Sequence, residues 1–228
     1  MRPVHIVIPF KLDGAKSRLS SVLSPEERRK LALAMLRDVL DAVFGFGKVT
    51  LLTIHGFDRS DLDGDFNLME CSFGLNDALN TLIASWQEKG WPEDMLIVMA
   101  DLALLTREDV RMVIQTAGDA VLSPGLGGGT NMILIRDPRF KTCYQGLSFP
   151  KHLDFVRKNG INAGIYASYR SGCDIDEPSD LAEILIHAKG ESRLLLESMG
   201  FTLSEKGRAG IERKDGSNSN NSNRSICI

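Results

Sequence analysis

Hydrophobic positions in this chain alternate between two rhythms. Val4 to Pro9 is a short β-branched run ended by proline, and it reads as a strand buried on both faces, as in the middle of a parallel sheet. After a long loop, Ser24-Pro25-Glu26-Glu27 supplies an N-cap, a proline at the first helical position and acids in the first turn. Leu31, Met35, Val39 and Val43 then continue at helical spacing. Val49 to Ile54 and Phe66 to Met69 read as the next strands, with an Asp- and Gly-rich surface loop between them. Leu75 to Glu88 is periodic enough for an amphipathic helix, and Met95 to Ala100 is the most apolar strand, which places it at the centre. Thr106 caps a further helix that carries Glu108 and Asp109 in its first turn. Strands are predicted at Ala120 to Leu122 and Met132 to Ile135, and helices near Lys151 to Lys158, Ser179 to Ala188 and Glu191 to Met199.

This alternation predicts an α/β fold, a three-layer α/β/α sandwich around a mostly parallel central sheet. No linker divides the chain up to residue 206, so a single domain is expected over 1–206. From Gly207 to residue 228, Lys, Asp, Gly, Ser and Asn dominate, and a disordered polar tail is expected.

Ligands of open α/β sheets bind beyond the carboxyl ends of the strands, which directs attention to the loop after the first strand. It holds Lys11, Gly14, Lys16 and Arg18. Such a loop can be a solvated turn, or it can wrap a triphosphate, because charge-assisted bonds hold phosphate oxygens and glycine admits close backbone approach. Neither a P-loop nor a GxGxxG pattern is present, which argues against a P-loop NTPase and a standard dinucleotide-binding domain. Asp101 directly follows the most apolar strand, where it either caps its own turn or meets a cation. Asp174-Ile175-Asp176-Glu177-Pro178-Ser179 places two acids on one face if extended. Asp176 or Ser179 would cap the next helix, or one of the acids would join Asp101 in binding Mg²⁺, a cation that takes hard oxygen ligands and bridges phosphates. The cluster Gly125-Leu126-Gly127-Gly128-Gly129 makes either a plain hairpin loop or a close approach to a ligand, with Thr130 and Asn131 as neutral donors beside it. Ser148, Lys151 and His152 lie around a helix start, where free N–H groups favour anions. A lone His152 reads as a surface residue, and no base chemistry is assigned to it.

Charge narrows the partners. A net charge of −3 provides no global field toward nucleic acid or membrane, so any phosphate site is local. Cys71, Cys143, Cys173 and Cys227 form no CxxC or compact framework, and no signal-peptide pattern precedes the first strand. No apolar run approaches the roughly 20 residues of a membrane span. A soluble cytoplasmic protein with reduced thiols is the expectation.

Read together, Ile8-Pro9-Phe10-Lys11, Ala15-Lys16-Ser17-Arg18-Leu19, Gly74-Leu75-Asn76, Ala100-Asp101-Leu102, Gly129-Thr130-Asn131, Ser148-Phe149 with His152, and Asp174-Ile175-Asp176-Glu177-Pro178 resemble the 2-phospho-L-lactate guanylyltransferase family of coenzyme F-420 biosynthesis, within the nucleotide-diphospho-sugar transferase fold. The resemblance covers about residues 4 to 185. It implies transfer of GMP from GTP to 2-phospho-L-lactate, or to phosphoenolpyruvate in some members, with release of pyrophosphate. Catalytic roles would fall to Lys16, Arg18 and Asp101, and nucleotide binding to Pro9, Lys11, Lys16, Arg18, Gly74, Leu75 and Asn76. Thr130, Gln145, Gly146 and Ser148 match the acceptor positions, and Asp101 and Asp176 match the acids expected to hold Mg²⁺, with Asp174 as the alternative to Asp176. The implied partners are GTP and a small phosphorylated hydroxy acid, with a homodimer as a family-based expectation and neither nucleic acid nor membrane. Three segments depart from the pattern: Ala103 replaces a proline, Tyr144-Gln145 stands where phenylalanine-glycine is usual, and Glu177 replaces a threonine. Other readings are a nucleotidyltransferase of the same fold with a sugar phosphate or molybdopterin acceptor, and a GTP-binding module without turnover.

Overall fold

The computed structural model describes residues 2–12, 14–54, 57–72, 74–204 and 210–214. Its centre is a seven-stranded sheet of β1 (Val4–Phe10), β2 (Lys48–Ile54), β3 (Asn67–Cys71), β4 (Asp94–Val98), β5 (Ala120–Pro124), β6 (Thr130–Ile135) and β7 (Ala163–Ile165), in the order β3-β2-β1-β4-β6-β5-β7. β1 pairs in parallel with both β2 and β4, β2 with β3, and β5 with β7, while β6 runs antiparallel between β4 and β5. The sheet is therefore mostly parallel, and β1 and β4 are central as their unbroken apolar runs required.

Alternation along β1 divides two cores. Ile6 and Ile8 pack with Leu36, Val39 and Val43 of α1 (Pro25–Val43) and with Val110 and Val113 of α3 (Arg107–Gln115). Val7 faces the other side, toward Leu79 and Ile83 of α2 (Leu75–Glu88) and Val156 of α4 (Ser148–Lys158). Helices on both faces complete the three layers. α1 starts as its sequence dictates: Ser24 Oγ accepts from the Glu27 amide, Glu27 returns the bond to the Ser24 amide, and Pro25 opens the first turn.

A third apolar cluster joins another face of α1 (Leu31, Met35) to α6 (Asp180–His187) and α7 (Glu191–Ser198), while a short α5 (Tyr169–Gly172) lies against β5 and β6. Asp38 of α1, 8% exposed, accepts from the backbone N–H groups of Glu191 and Ser192 and from the Ser192 hydroxyl, so it caps α7 from another helix. Gly190 makes room, since a Cβ there would lie 2.0 Å from Asp38 Oδ1. Burial raises the Asp38 pKa, and the bonds from Ser192 oppose that shift. Asp38→Ala leaves three donors unmet and is expected to lower stability by about 2–3 kcal/mol, read as a shifted urea midpoint at unchanged slope.

Several boundaries differ from those predicted. β4 stops at Val98: the Met99 amide makes a last bond to the Asn131 carbonyl of β6, and the chain then enters the turn that holds Asp101. α4 begins at Ser148, not Lys151, and β7 was too short to show an alternating pattern. The polar segment expected to be unstructured from Gly207 instead supplies β9 (Ile211–Arg213), antiparallel to β8 (Phe201–Leu203). Buried Ile211 anchors it and Arg213 reaches back to Glu27, contacts that composition alone does not reveal. Residues 215–228 of the expected tail lie outside the described residues.

Candidate functional site

The carboxyl ends of β1 and β4 bring the basic loop to the acids. After β1 the chain turns at Gly14, and Lys16 follows with φ 54°, a left-handed conformation that costs a non-glycine residue about 1 kcal/mol. That turn drives the Lys16 side chain inward, where 10% remains exposed, and its Nζ donates to Asp101 Oδ2 at 2.7 Å and to Asp176 Oδ1 at 2.8 Å. Arg18, 68% exposed, reaches Asp176 Oδ2 at 3.6 Å from the other side. Lys11 is exposed nearby.

The acid segment is fixed by backbone. The Ile175 amide donates to the Asp101 carbonyl at 3.2 Å, and Ile175 itself is fully buried, so Asp174 and Asp176 turn together to the opposite face. The helix cap considered for Asp176 or Ser179 is not made by a side chain: the first amides of α6 go to the carbonyls of Glu177, Pro178 and Ser179, while Asp180 Oδ2 accepts from the amides of Asp176 and Glu177 and so braces the acid segment. Asn131 Nδ2 donates to Asp174 Oδ1 at 3.3 Å and to the Ser171 carbonyl, so this amide supports an acid rather than standing free for a substrate.

Electrostatics follow from the crowding. Burial disfavours the Lys16 ammonium, but the charges of Asp101 and Asp176 outweigh it, and the Lys16 pKa is raised. Burial first, then the charge of Asp101, raise the Asp174 pKa. Asp101 Oδ1 is buried with no hydrogen-bond partner among the described residues. The acids thus carry a demand for positive charge that Lys16 alone does not fill. Among the described residues no three His, Cys, Asp or Glu side chains converge as a ligand set. What fits is a hard cation taking one or two carboxylates and its remaining oxygens from a substrate, the usual habit of Mg²⁺.

The glycine cluster packs directly on this face. A Cβ at Gly125 would lie 2.6 Å from Asn131 Oδ1 and 3.0 Å from Asp174 Oδ1. Gly125→Ala is expected to push Asp174 aside and cut turnover by about 10- to 100-fold, with the melting temperature little changed. A rate equal to wild type would show that the position of Asp174 is immaterial.

Beside the charge cluster an apolar cavity of about 270 Å³ opens between β1, β2 and the start of α2, lined by Pro9, Lys11, Leu52, Leu75, Ala78 and Met99 among others. Gly74 caps α2 with open space above it, and Asn76 Oδ1 accepts from the Tyr144 amide at 2.6 Å, linking this end to the segment of Gln145 and Gly146. A larger cavity of about 660 Å³ lies elsewhere, around Asp41, Arg107 and His187, and contains none of the catalytic, binding or metal-holding residues expected from sequence. Strand ends, not size, locate the site.

Thr130 and Ser148 meet on the far side of the glycine loop, each 3% exposed, with Ser148 Oγ 3.2 Å from Thr130 Oγ1. Gln145 and Gly146 are exposed on the turn before α4. His152, read from sequence as a surface residue, is fully buried, and its Nδ1 lies 2.9 Å from Thr130 Oγ1. Its i, i+4 spacing from both Ser148 and Val156 was the available signal, since all three occupy the buried face of α4. The Tyr144 ring packs on His152 with centroids 5.1 Å apart, and burial raises its hydroxyl pKa.

The profile of the family described as guanylyl transferase CofC-like matches residues 4–215. The chain belongs to this family. A relative from Methanothrix thermoacetophila, named 2-phospho-L-lactate guanylyltransferase, is 54% identical over 217 residues, covering 93% of this chain and 97% of the relative. Another of that name, from Methanoregula boonei, is 41% identical over 92% of this chain and 95% of its own. Among solved structures, a putative nucleotide-diphospho-sugar transferase from Desulfovibrio desulfuricans G20 superposes with TM-score 0.70 at 14% identity, covering 87% of this chain and 95% of that one. A nucleotidyl transferase from Methanothermobacter gives 0.60 at 16% identity, covering 86% and 99%. At such identities these two establish the fold alone, and it is the fold family expected from the sequence. Among the described residues no helix is long and apolar enough to cross a membrane.

Proposed function

We propose that this protein transfers the guanylyl group of GTP to 2-phospho-L-lactate, releasing pyrophosphate, as a step of coenzyme F-420 biosynthesis. The observation that carries this reading is the convergence of Lys16 and Arg18 with Asp101 and Asp176 at the carboxyl edge of the sheet, in a chain 54% identical to a relative of that name. Phosphoryl transfer needs positioned positive charge around in-line oxygens more than it needs a protein nucleophile. The acceptor phosphate is already ionised at neutral pH, so its oxygen attacks the α-phosphorus without a general base while the bond to the β-phosphate oxygen breaks.

Lys16 and Arg18, with Lys11, would neutralise the triphosphate and the departing pyrophosphate. The cavity beside Pro9 and Leu75 would take the base, with Gly74 and Asn76 at its rim. Asp101 with Asp174 or Asp176 would hold Mg²⁺, which would screen the phosphate charges. Thr130 and Ser148, with the turn at Gln145 and Gly146, would receive the acceptor. Incubation with GTP, Mg²⁺ and 2-phospho-L-lactate should release pyrophosphate, with GTP preferred over ATP, CTP and UTP. Absence of release with this acid and with phosphoenolpyruvate alike would defeat the reading.

A further inference from the structure

The buried contacts of His152 fix the position of every polar proton around the hydroxyl pair. The Cys143 backbone N–H can only donate, and it reaches His152 Nε2 at 2.8 Å, so that nitrogen is an acceptor. Burial keeps the ring neutral, with its pKa pushed down to about 4. The single ring proton therefore sits on Nδ1 and is donated to Thr130 Oγ1, 2.9 Å away. Two hydroxyl protons remain, on Thr130 and Ser148, and only one of them can lie between the two oxygens 3.2 Å apart. One O–H is left over, and no other acceptor for either hydroxyl is found among the described residues. The opposite tautomer would reverse this. A bare Nδ1 would take the Thr130 proton, Thr130 would take that of Ser148, and no donor would remain.

The pair also stands where a donor is useful. Thr130 opens β6 directly after the glycine loop, and the next residue, Asn131, bonds Asp174. Ser148 opens α4, whose Phe149 amide ties to the Gly128 carbonyl, so loop and helix hold the two hydroxyls in one place.

We propose that His152 is a positioning residue: through its Nδ1 proton it makes the Thr130–Ser148 pair a net hydrogen-bond donor toward the anionic end of the phosphorylated acceptor acid. This rests on the function proposed above. A histidine that merely filled the core would affect stability, whereas this one sets the sign of recognition at the acceptor subsite while leaving the nucleotide subsite alone.

Two measurements on the full chain test it. Long-range ¹H–¹⁵N correlation of the His152 imidazole should show a protonated Nδ1 and a bare Nε2 throughout about pH 6 to 8. An Nε2-protonated or charged ring would overturn the proposal whatever the enzyme does. In the pyrophosphate-release assay, His152→Phe keeps the ring but no longer holds Thr130 Oγ1, so the spare O–H is free to turn away from the acceptor and the acceptor KM should rise about tenfold, the worth of one ordered hydrogen bond. The KM for GTP should stay within about twofold, and kcat should fall less than the acceptor KM rises. His152→Asn, which returns an N–H near the Nδ1 position, should recover most of that loss, and it serves alone if the Phe variant does not fold. An unchanged acceptor KM, equal rises in both KM values, or no recovery with Asn would each count against the proposal. If wild type releases no pyrophosphate, phosphoenolpyruvate binding is read from the same imidazole signals. A shift without turnover defeats the transfer reading only, and no shift up to about 10 mM, above the usual range of KM, defeats this proposal.

Discussion

Asp101→Asn is expected to reduce pyrophosphate release by about a thousandfold while leaving the protein at least as stable as wild type. The two halves of that result have one cause. The cluster sets Asp101 and Asp176 against Lys16 and Arg18, with Asp174 near enough to feel the charge of Asp101, and one buried Asp101 oxygen has no partner among the described residues. The uncompensated charge is also visible in Asp174, whose pKa is raised by burial and by Asp101. Asn at 101 keeps the shape, relieves Asp174 of a like charge and leaves Lys16 bonded to Asp176, so folding loses little. What disappears is the anionic oxygen that a cation carrying phosphates would need. Activity and urea midpoint measured on the same preparation separate the two effects. Turnover within about tenfold of wild type would remove Asp101 from the mechanism.

The parts of this site that the sequence disclosed are those set by local chemistry. A β-branched run ending in proline placed the basic loop at a strand end, and an acid after the most apolar strand pointed to the same edge of the sheet. The parts that stayed hidden are set by long-range geometry. No local pattern states that Lys16 bonds Asp101 and Asp176, 85 and 160 residues away, or that a left-handed turn aims it there. Asn131 looked like a substrate donor because its own partner, Asp174, lies 43 residues on. β6 reads like any buried strand, and its antiparallel direction follows only from the short hairpin built by the glycine cluster. His152 was undervalued for a different reason: a polar residue on a helix reads as exposed until the burial of Ser148 and Val156 on the same face is counted. The β8–β9 pair was missed because three-residue strands carry too few positions for alternation to register.

Lys16→Met should be the more revealing variant, because it removes a charge on which both stability and chemistry draw. Its raised pKa means that the stability it contributes is fully present below the ordinary lysine value near 10.5 and is lost only as pH rises through the higher folded value. Wild type should therefore show no Lys16-dependent change in stability between about pH 6 and 9. Met in its place leaves Asp101 without its cation and Asp176 with Arg18 alone, while Asp174 still feels the charge of both acids. Breaking a wholly buried pair costs about 3–5 kcal/mol, but Asp101 and Asp176 keep 27% and 41% of their side-chain surface, so screening by solvent should hold the loss to about 1–2 kcal/mol. The variant should also gain a pH dependence of the acid kind. Asp174 already has a raised pKa, so its protonation favours the folded state, and stability should rise more steeply than in wild type as pH falls toward the ordinary carboxylate range. About 10 mM Mg²⁺ should restore the melting temperature of Lys16→Met and move that of wild type much less, because a divalent ion can take the place of the ammonium between the acids. Turnover should still fall about a thousandfold, since the ion does not replace a cation on the triphosphate. Adding Asp101→Asn to Lys16→Met should recover stability without activity, a strongly non-additive pair. If the metal moves both proteins equally, the three acids are a structural cluster that Lys16 merely neutralises, and the cation site must be sought elsewhere.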